Sequence, residues 1–154
     1  MKHRLIDHLY VNTNLIYSEE CCNEVKRIVS LFLDNDIVDK FHFTTSFDLA
    51  GRFKNEDDKI RYLKNLDSIR ESFKKTRIIV NMILTNVLCK AILDGHFDLF
   101  KFIKCHDVDV NLIPYIILDK KLAPSRNLLY KTLNTIKDIN PFFFRNMVIE
   151  HDLK

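Results

Sequence analysis

The stretch VLCKAILDGHFDLFKFIKCHDVDVN, residues 87–111, decides the predicted fold of this chain. Apolar residues recur at gaps of one, three and four on both sides of Asp94 and Gly95, which is the spacing of helices with one buried face. Gly95 can adopt a positive φ without a Cβ clash and can therefore end the first helix. Asp98 is a polar residue suited to starting the second. The stretch predicts a helical hairpin.

The second half of this hairpin resembles a known repeat. Residues 95–103, GHFDLFKFI, and the following segment 108–111, VDVN, are similar to the second helix and exit of an ankyrin repeat. Asp107 stands where that family has a glycine, and Asp is one of the few other residues that tolerate a left-handed conformation. Upstream, residues 86–89 stand in the place of the family's Thr-Pro-Leu-His, and Leu88 matches it. The resemblance implies stacked antiparallel helical pairs.

Weaker matches to the same repeat recur near residues 28–38, 58–67 and 128–140. Their intervals of about 30 to 40 residues lie close to the ankyrin period of about 33. We therefore expect ankyrin-like pairs over residues 18–140, with capping helices at residues 1–12 and 141–154. Apolar residues between Ile78 and Ile83 precede the hairpin, so that either its first helix begins early and is unusually long or an extra helix is inserted.

Length and composition favour a single helical domain. A chain of 154 residues can bury a core without metal or disulfide staples. Two glycines and three prolines are too few for the many tight turns of a sandwich or barrel. The predicted fold class is therefore all-α. The alternative is a compact helical bundle, similar to the Bcl-2-like proteins of poxviruses, which bind a partner helix in a groove and inhibit apoptosis or inflammatory signalling. Residues 78–93 would be its central helix.

Several features predict a cytoplasmic protein. Charged residues such as Lys2, Arg4 and Asp7 interrupt any apolar leader, and no apolar run has membrane-spanning length. Four cysteines fit reduced thiols rather than a disulfide framework. The abundance of Asn, Ile, Lys and Phe, without Trp, suggests an AT-rich genome such as that of a large DNA virus of the poxvirus or asfarvirus type.

The sequence contains no pattern that predicts catalysis or a cofactor. Cys89, His96, Cys105 and His106 have spacings unlike those of zinc sites. Phosphate-binding, dinucleotide-binding and metalloprotease motifs are absent from the sequence, and no glycine-rich nucleophile elbow is present. We therefore expect neither an enzyme nor a bound metal.

A protein partner is the remaining expectation. Repeats expose a surface that can vary without changing the fold. If the composition reflects a large DNA virus, the resemblance implies a host-directed protein that counters innate immune signalling or, as the weaker variant, recruits ubiquitin ligases. The candidate partner-binding residues are Lys74, Lys75, Arg77 and Tyr115. This basic run could neutralise phosphates. However, Asp67 and Glu71 lie nearby and no aromatic series is interleaved with it, which argues against nucleic acid.

Overall fold

The computed structural model describes residues 6–34, 38–114 and 121–137, and it contains both strands and helices. The elements in chain order are β1 (Ile6–Thr13), α1 (Glu19–Asp34), β2 (Val38–Phe47), α2 (Glu56–Ser72), β3 (Arg77–Leu84), α3 (Asn86–Leu93), α4 (Leu99–His106), β4 (Asp109–Pro114) and α5 (Arg126–Ile136). The strands form one parallel sheet in the order β1-β2-β3-β4. The all-α prediction is therefore wrong, and so are the ankyrin-like stack over residues 18–140 and the alternative Bcl-2-like bundle.

Strand formation follows from the alternation of side chains along each strand. The buried residues of β2 are Phe41, Phe43, Thr45 and Phe47, and the residues between them are less buried. In β3 the buried residues are Ile78, Val80, Met82 and Leu84. A period of two residues belongs to a strand with one buried face, whereas a helix buries residues at gaps of three and four.

Two segments predicted to be helical are strands. β1 occupies the described part of the leading helix, and β3 occupies the first part of the apolar helix over residues 78–93. In both segments apolar residues are adjacent, as at Ile78 and Ile79. Such a pattern is also compatible with the apolar face of a helix. The predicted carboxyl-terminal cap, residues 141–154, lies outside the described residues.

Both helices of the predicted hairpin are confirmed, as α3 and α4, although their context is different. Thr85 caps α3 by accepting a hydrogen bond from the backbone N–H of Leu88. Gly95 has a φ of 74° and Asp107 a φ of 48°, so both adopt the expected left-handed conformation. The pair α3 and α4 connects β3 to β4. It is therefore a crossover between parallel strands and not one repeat of a helical stack.

The residues divide into two compact units. The first unit comprises Met1–Ser46, Phe53–Val80 and His106–Asp109, and the second comprises Phe47–Arg52, Asn81–Cys105 and Val110–Lys154. In the second unit α3 packs against α5, and both helices contribute buried residues. The Phe47, Phe97 and Phe102 rings also cluster there, with centroids 5.2 to 5.6 Å apart.

The core of the first unit joins α1 and α2 to the buried face of β2. Tyr62, Leu66 and Ile69 of α2 are buried, as are Cys22 and Val29 of α1. Phe73, at the end of α2, contacts the rings of Phe41 and Phe43, with centroids 6.2 and 5.7 Å away. These aromatic contacts fix the end of α2 beside β2.

Asn65 holds the loop between β1 and α1 in the first unit. Its buried side-chain amide donates to the carbonyl oxygens of Leu15 and Tyr17, at 2.9 and 3.0 Å. Leu15 is buried in a left-handed conformation, with a φ of 58°. Such a conformation persists in a non-glycine residue only where the surroundings hold it.

We predict that Asn65→Ala lowers the free energy of unfolding by about 1–3 kcal/mol, because two carbonyl groups lose their donor inside the core. Urea denaturation followed by circular dichroism measures this change. The control is Asn111→Ala, which removes only an exposed hydrogen bond to Asn81 and should change stability by no more than about 0.5 kcal/mol. Equal stabilities for the two variants would contradict the role assigned to Asn65.

Candidate functional site

A surface cleft of about 780 Å³ lies in the first unit. Residues 40–42 of β2 line it together with residues 71–77, which run from the end of α2 into β3, and with Leu33 of α1. Phe41 and Phe73 are buried and contact each other, so the cleft has an aromatic floor. Basic side chains surround this floor, which gives the cleft an apolar base and a charged rim.

Arg70 fixes the backbone that carries two of the basic residues. Its guanidinium donates to the carbonyl oxygens of Lys74 and Thr76, at 3.3 and 2.9 Å. It also lies 3.5 Å from the carboxylate of Asp107. The Phe73 N–H donates to the Ile69 carbonyl and closes the last turn of α2. The backbone of the turn that follows α2 is therefore held by specific hydrogen bonds.

The charges that line the cleft are mainly positive. Among the described residues, Lys40, Lys74, Lys75 and Arg77 line it with a single carboxylate, Glu71. Arg77 pairs with the exposed Asp109 at 2.5 Å. Among the described residues, no carboxylate forms an ion pair with any of the three lysines. Their charge is therefore available to a ligand.

Three rings stack beside the cleft on the less buried face of β1 and β2. Tyr10 is the register partner of His42, and their ring centroids are 4.9 Å apart. His8 lies 6.3 Å from Tyr10 and 5.6 Å from His42 between centroids, and the three planes are within 21° of parallel. Tyr10 is 57% exposed. We call His8, Tyr10 and His42 the ring cluster.

His42 belongs both to the ring cluster and to the cleft lining. Burial, together with the charges of His8, Arg77 and Lys40, lowers the pKa of His42 below its usual value of 6.5. Its Nε2 lies 3.3 Å from Nδ1 of His8, and its own Nδ1 is buried without a hydrogen-bond partner among the described residues. We assign the proton to Nε2, since the unpaired buried nitrogen then carries no N–H. His42 is therefore neutral near pH 7.

The structure brings three of the four predicted partner-binding residues together. Lys74, Lys75 and Arg77 line the cleft, whereas Tyr115 lies outside the described residues. Sequence reasoning missed Lys40 and the ring cluster. The alternation of residues 40–47 carries the missing signal, because it places Lys40 and His42 on one face of a strand.

The cysteines and histidines considered as metal ligands occupy separate environments. Cys89 is buried in α3, Cys105 is exposed, and Nδ1 of His106 lies 2.5 Å from a carboxylate oxygen of Asp67. In the part of the chain that the structure describes, no three Cys, His, Asp or Glu side chains are grouped to hold a metal ion. Within the same residues, every helix is too short or too polar to cross a bilayer.

Comparison with family models, curated proteins and solved structures finds no match to this chain. The predicted kinship with proteins of large DNA viruses stays a prediction.

We predict that the cysteines differ in reactivity as their burial does. Cys21 and Cys105 are exposed, whereas burial raises the pKa of both the Cys22 and the Cys89 thiols. Because the thiolate is the reactive form, iodoacetamide should label Cys21 and Cys105 in the folded chain and the other two only after unfolding. Peptide mass spectrometry resolves the four sites. Rapid labelling of Cys89 in the folded chain would contradict its buried position.

We also predict that His42 makes stability fall in mild acid. Because the unfolded imidazole takes up a proton near its usual pKa and the folded one resists it, the free energy of unfolding should decrease as the pH falls below 6.5. His42→Gln should reduce this decrease. Denaturant titrations between about pH 7 and about pH 5.5 measure this decrease. The control is His96→Gln, a substitution at an exposed histidine. If wild type and His42→Gln lost stability equally, the shifted pKa of His42 would be refuted.

Proposed function

We propose that this chain is a non-catalytic binding module that recognises a negatively charged macromolecular partner through the basic cleft. The observation that carries the proposal is the convergence of Lys40, Lys74 and Lys75 on one cleft. Among the described residues, none of the three has an ion-pair partner and only one carboxylate lines the cleft. Positive charges around a low-dielectric floor concentrate the field and attract anions. Phe41 and Phe73 supply such a floor.

Binding, rather than catalysis, agrees with the state of the potential nucleophiles. A reactive thiol needs a lowered pKa and access to solvent. Burial instead raises the pKa of the Cys22 and Cys89 thiols. The exposed cysteines, Cys21 and Cys105, do not line the cleft. The cationic groups that line the cleft are ammonium and guanidinium groups. Such groups hold anions by charge and hydrogen bonding.

The partner must present several negative charges along an accessible segment. The protein partner expected from the sequence meets this requirement if it carries an acidic segment, and so does a nucleic acid. We place the interaction in the cytoplasm, because all four cysteines are free thiols, as is usual in a reducing compartment.

We predict that charge reversal in the cleft weakens polyanion binding. Lys74→Glu with Lys75→Glu should weaken binding to heparin, used as a generic polyanion, by about tenfold or more at low salt. The matched control is Lys101→Glu with Lys104→Glu, which makes the same change in net charge at exposed positions of α4. Isothermal titration calorimetry at two salt concentrations compares the heparin affinities of the two variants with that of the wild type.

A site-specific effect is the deciding result. If the control variant lost as much affinity as the cleft variant, attraction would depend on net charge alone and the cleft would not be the binding site. Absence of heparin binding by the folded wild type would refute the proposed function itself.

A further inference from the structure

The sheet face beside the cleft carries a second set of aromatic and polar side chains. Along β1 the less buried residues include His8, Tyr10 and Asn12, and along β2 they are Lys40, His42, Thr44 and Ser46. The register pairs Tyr10 with His42 and Asn12 with Thr44. Neighbouring strands are about 4.8 Å apart, so these side chains form two adjacent rows. The rows begin with rings and a lysine and continue with uncharged polar groups.

The ring cluster is suited to stacking against a planar ligand. Its three rings are nearly parallel, and more than half of Tyr10 is exposed. Exposed rings of this kind stack with unpaired nucleobases, and each stacked base contributes substantially to affinity. An acidic protein segment would use the lysines but would have no matching use for the rings.

Charge and rings are joined through His42. This residue stacks with Tyr10 and also lines the cleft with Lys40, Lys74 and Lys75. A nucleic acid strand carries a matching pair of groups in each nucleotide, a base that can stack on a ring and a phosphate that can contact a lysine. From the sequence, nucleic acid is disfavoured by Asp67 and Glu71 near the basic run and by the lack of an aromatic series within it. The fold supplies aromatic side chains from β1 and β2.

Two features distinguish among nucleic acids. In a duplex both faces of each interior base are covered by its neighbours, so the rings could not stack on them, whereas the bases of a single strand are accessible. Asn12, Thr44 and Ser46 continue the same face with amide and hydroxyl groups. Such groups can donate to and accept from a ribose 2′-hydroxyl, which DNA lacks.

We infer that the basic cleft and the adjoining face of β1 and β2 bind single-stranded RNA, with phosphates at Lys40, Lys74 and Lys75 and a base stacked on the ring cluster. This inference rests on the proposed function, because it uses the same lysines. It adds the rings and names the chemical class of the ligand.

Fluorescence anisotropy with the full chain and a labelled 12-nucleotide RNA of mixed sequence tests the inference. The competitors are the same RNA with abasic sites, the duplex, the DNA strand of the same sequence, and poly-glutamate. The Tyr10→Ala variant should bind the RNA about tenfold more weakly because it loses one stacking ring, whereas Tyr10→Phe should retain the wild-type affinity. Tyr130→Ala is the matched control, since Tyr130 is 55% exposed on α5. Circular dichroism verifies that each variant is folded.

The lysines give an independent readout. Lys74→Ala and Lys75→Ala should each reduce the slope of log affinity against log salt by about 0.7, which is the contribution of one phosphate contact on a single strand. Tyr10→Ala should leave this slope unchanged, because a stacking ring releases no counterions.

The outcomes separate failure of the inference from failure of the proposed function. Equal affinity for abasic and normal RNA, equal affinity for the duplex or the DNA strand, or unchanged binding by Tyr10→Ala would overturn the inference and leave a polyanion site. Tighter binding of poly-glutamate would overturn it in favour of an acidic protein partner. If neither RNA nor heparin bound the folded wild type, both proposals would be refuted.

Discussion

Parallel pairing of neighbouring strands is the constraint on which the rest of the structure depends. β1 pairs with β2 in parallel, and parallel strands cannot be joined by a tight turn, so α1 must carry the chain back to begin β2. α2 does the same before β3. Because consecutive strands are neighbours and such crossovers share one handedness, α1 and α2 lie on the same face of the sheet. The opposite face of β1 and β2 is left for His8, Tyr10 and His42.

The same crossover produces the charged rim. α2 ends at Ser72, and the chain turns at residues 74–76 before it enters β3 beside β2. Lys74 and Lys75 therefore follow the carboxyl end of a helix, where cations are stabilised. That helix end opposes an anionic ligand with about half an elementary charge. The three lysines each carry a full positive charge, which outweighs the partial negative charge of the helix end. The electrostatic potential of the cleft therefore favours an anion.

The helices could be located from the sequence, whereas the strands could not be recognised by the same criterion. Ser125 caps α5 and Asn55 caps α2, and each cap is a local signal that does not depend on distant residues. Alternation is equally local in residues 41–47 and 108–112. It is obscured in β3, where Ile79 and Ile83 are apolar although they lie on the less buried face. A search for helical spacing accepts such a segment.

The ankyrin resemblance and the candidate site show the same limit of local reasoning. Two helices that end in left-handed residues, Gly95 and Asp107, terminate through local backbone conformation. This holds whether the next element is a second hairpin or a strand. What decides is the alternation of Val108, Val110 and Leu112 with exposed residues, which only pairing beside β3 can satisfy. Likewise, Lys74, Lys75 and Arg77 form a visible run, but their proximity to His42 is set by strand order. A run of basic residues can be recognised in the sequence, whereas its proximity to the rings of β1 and β2 depends on how the sheet is assembled.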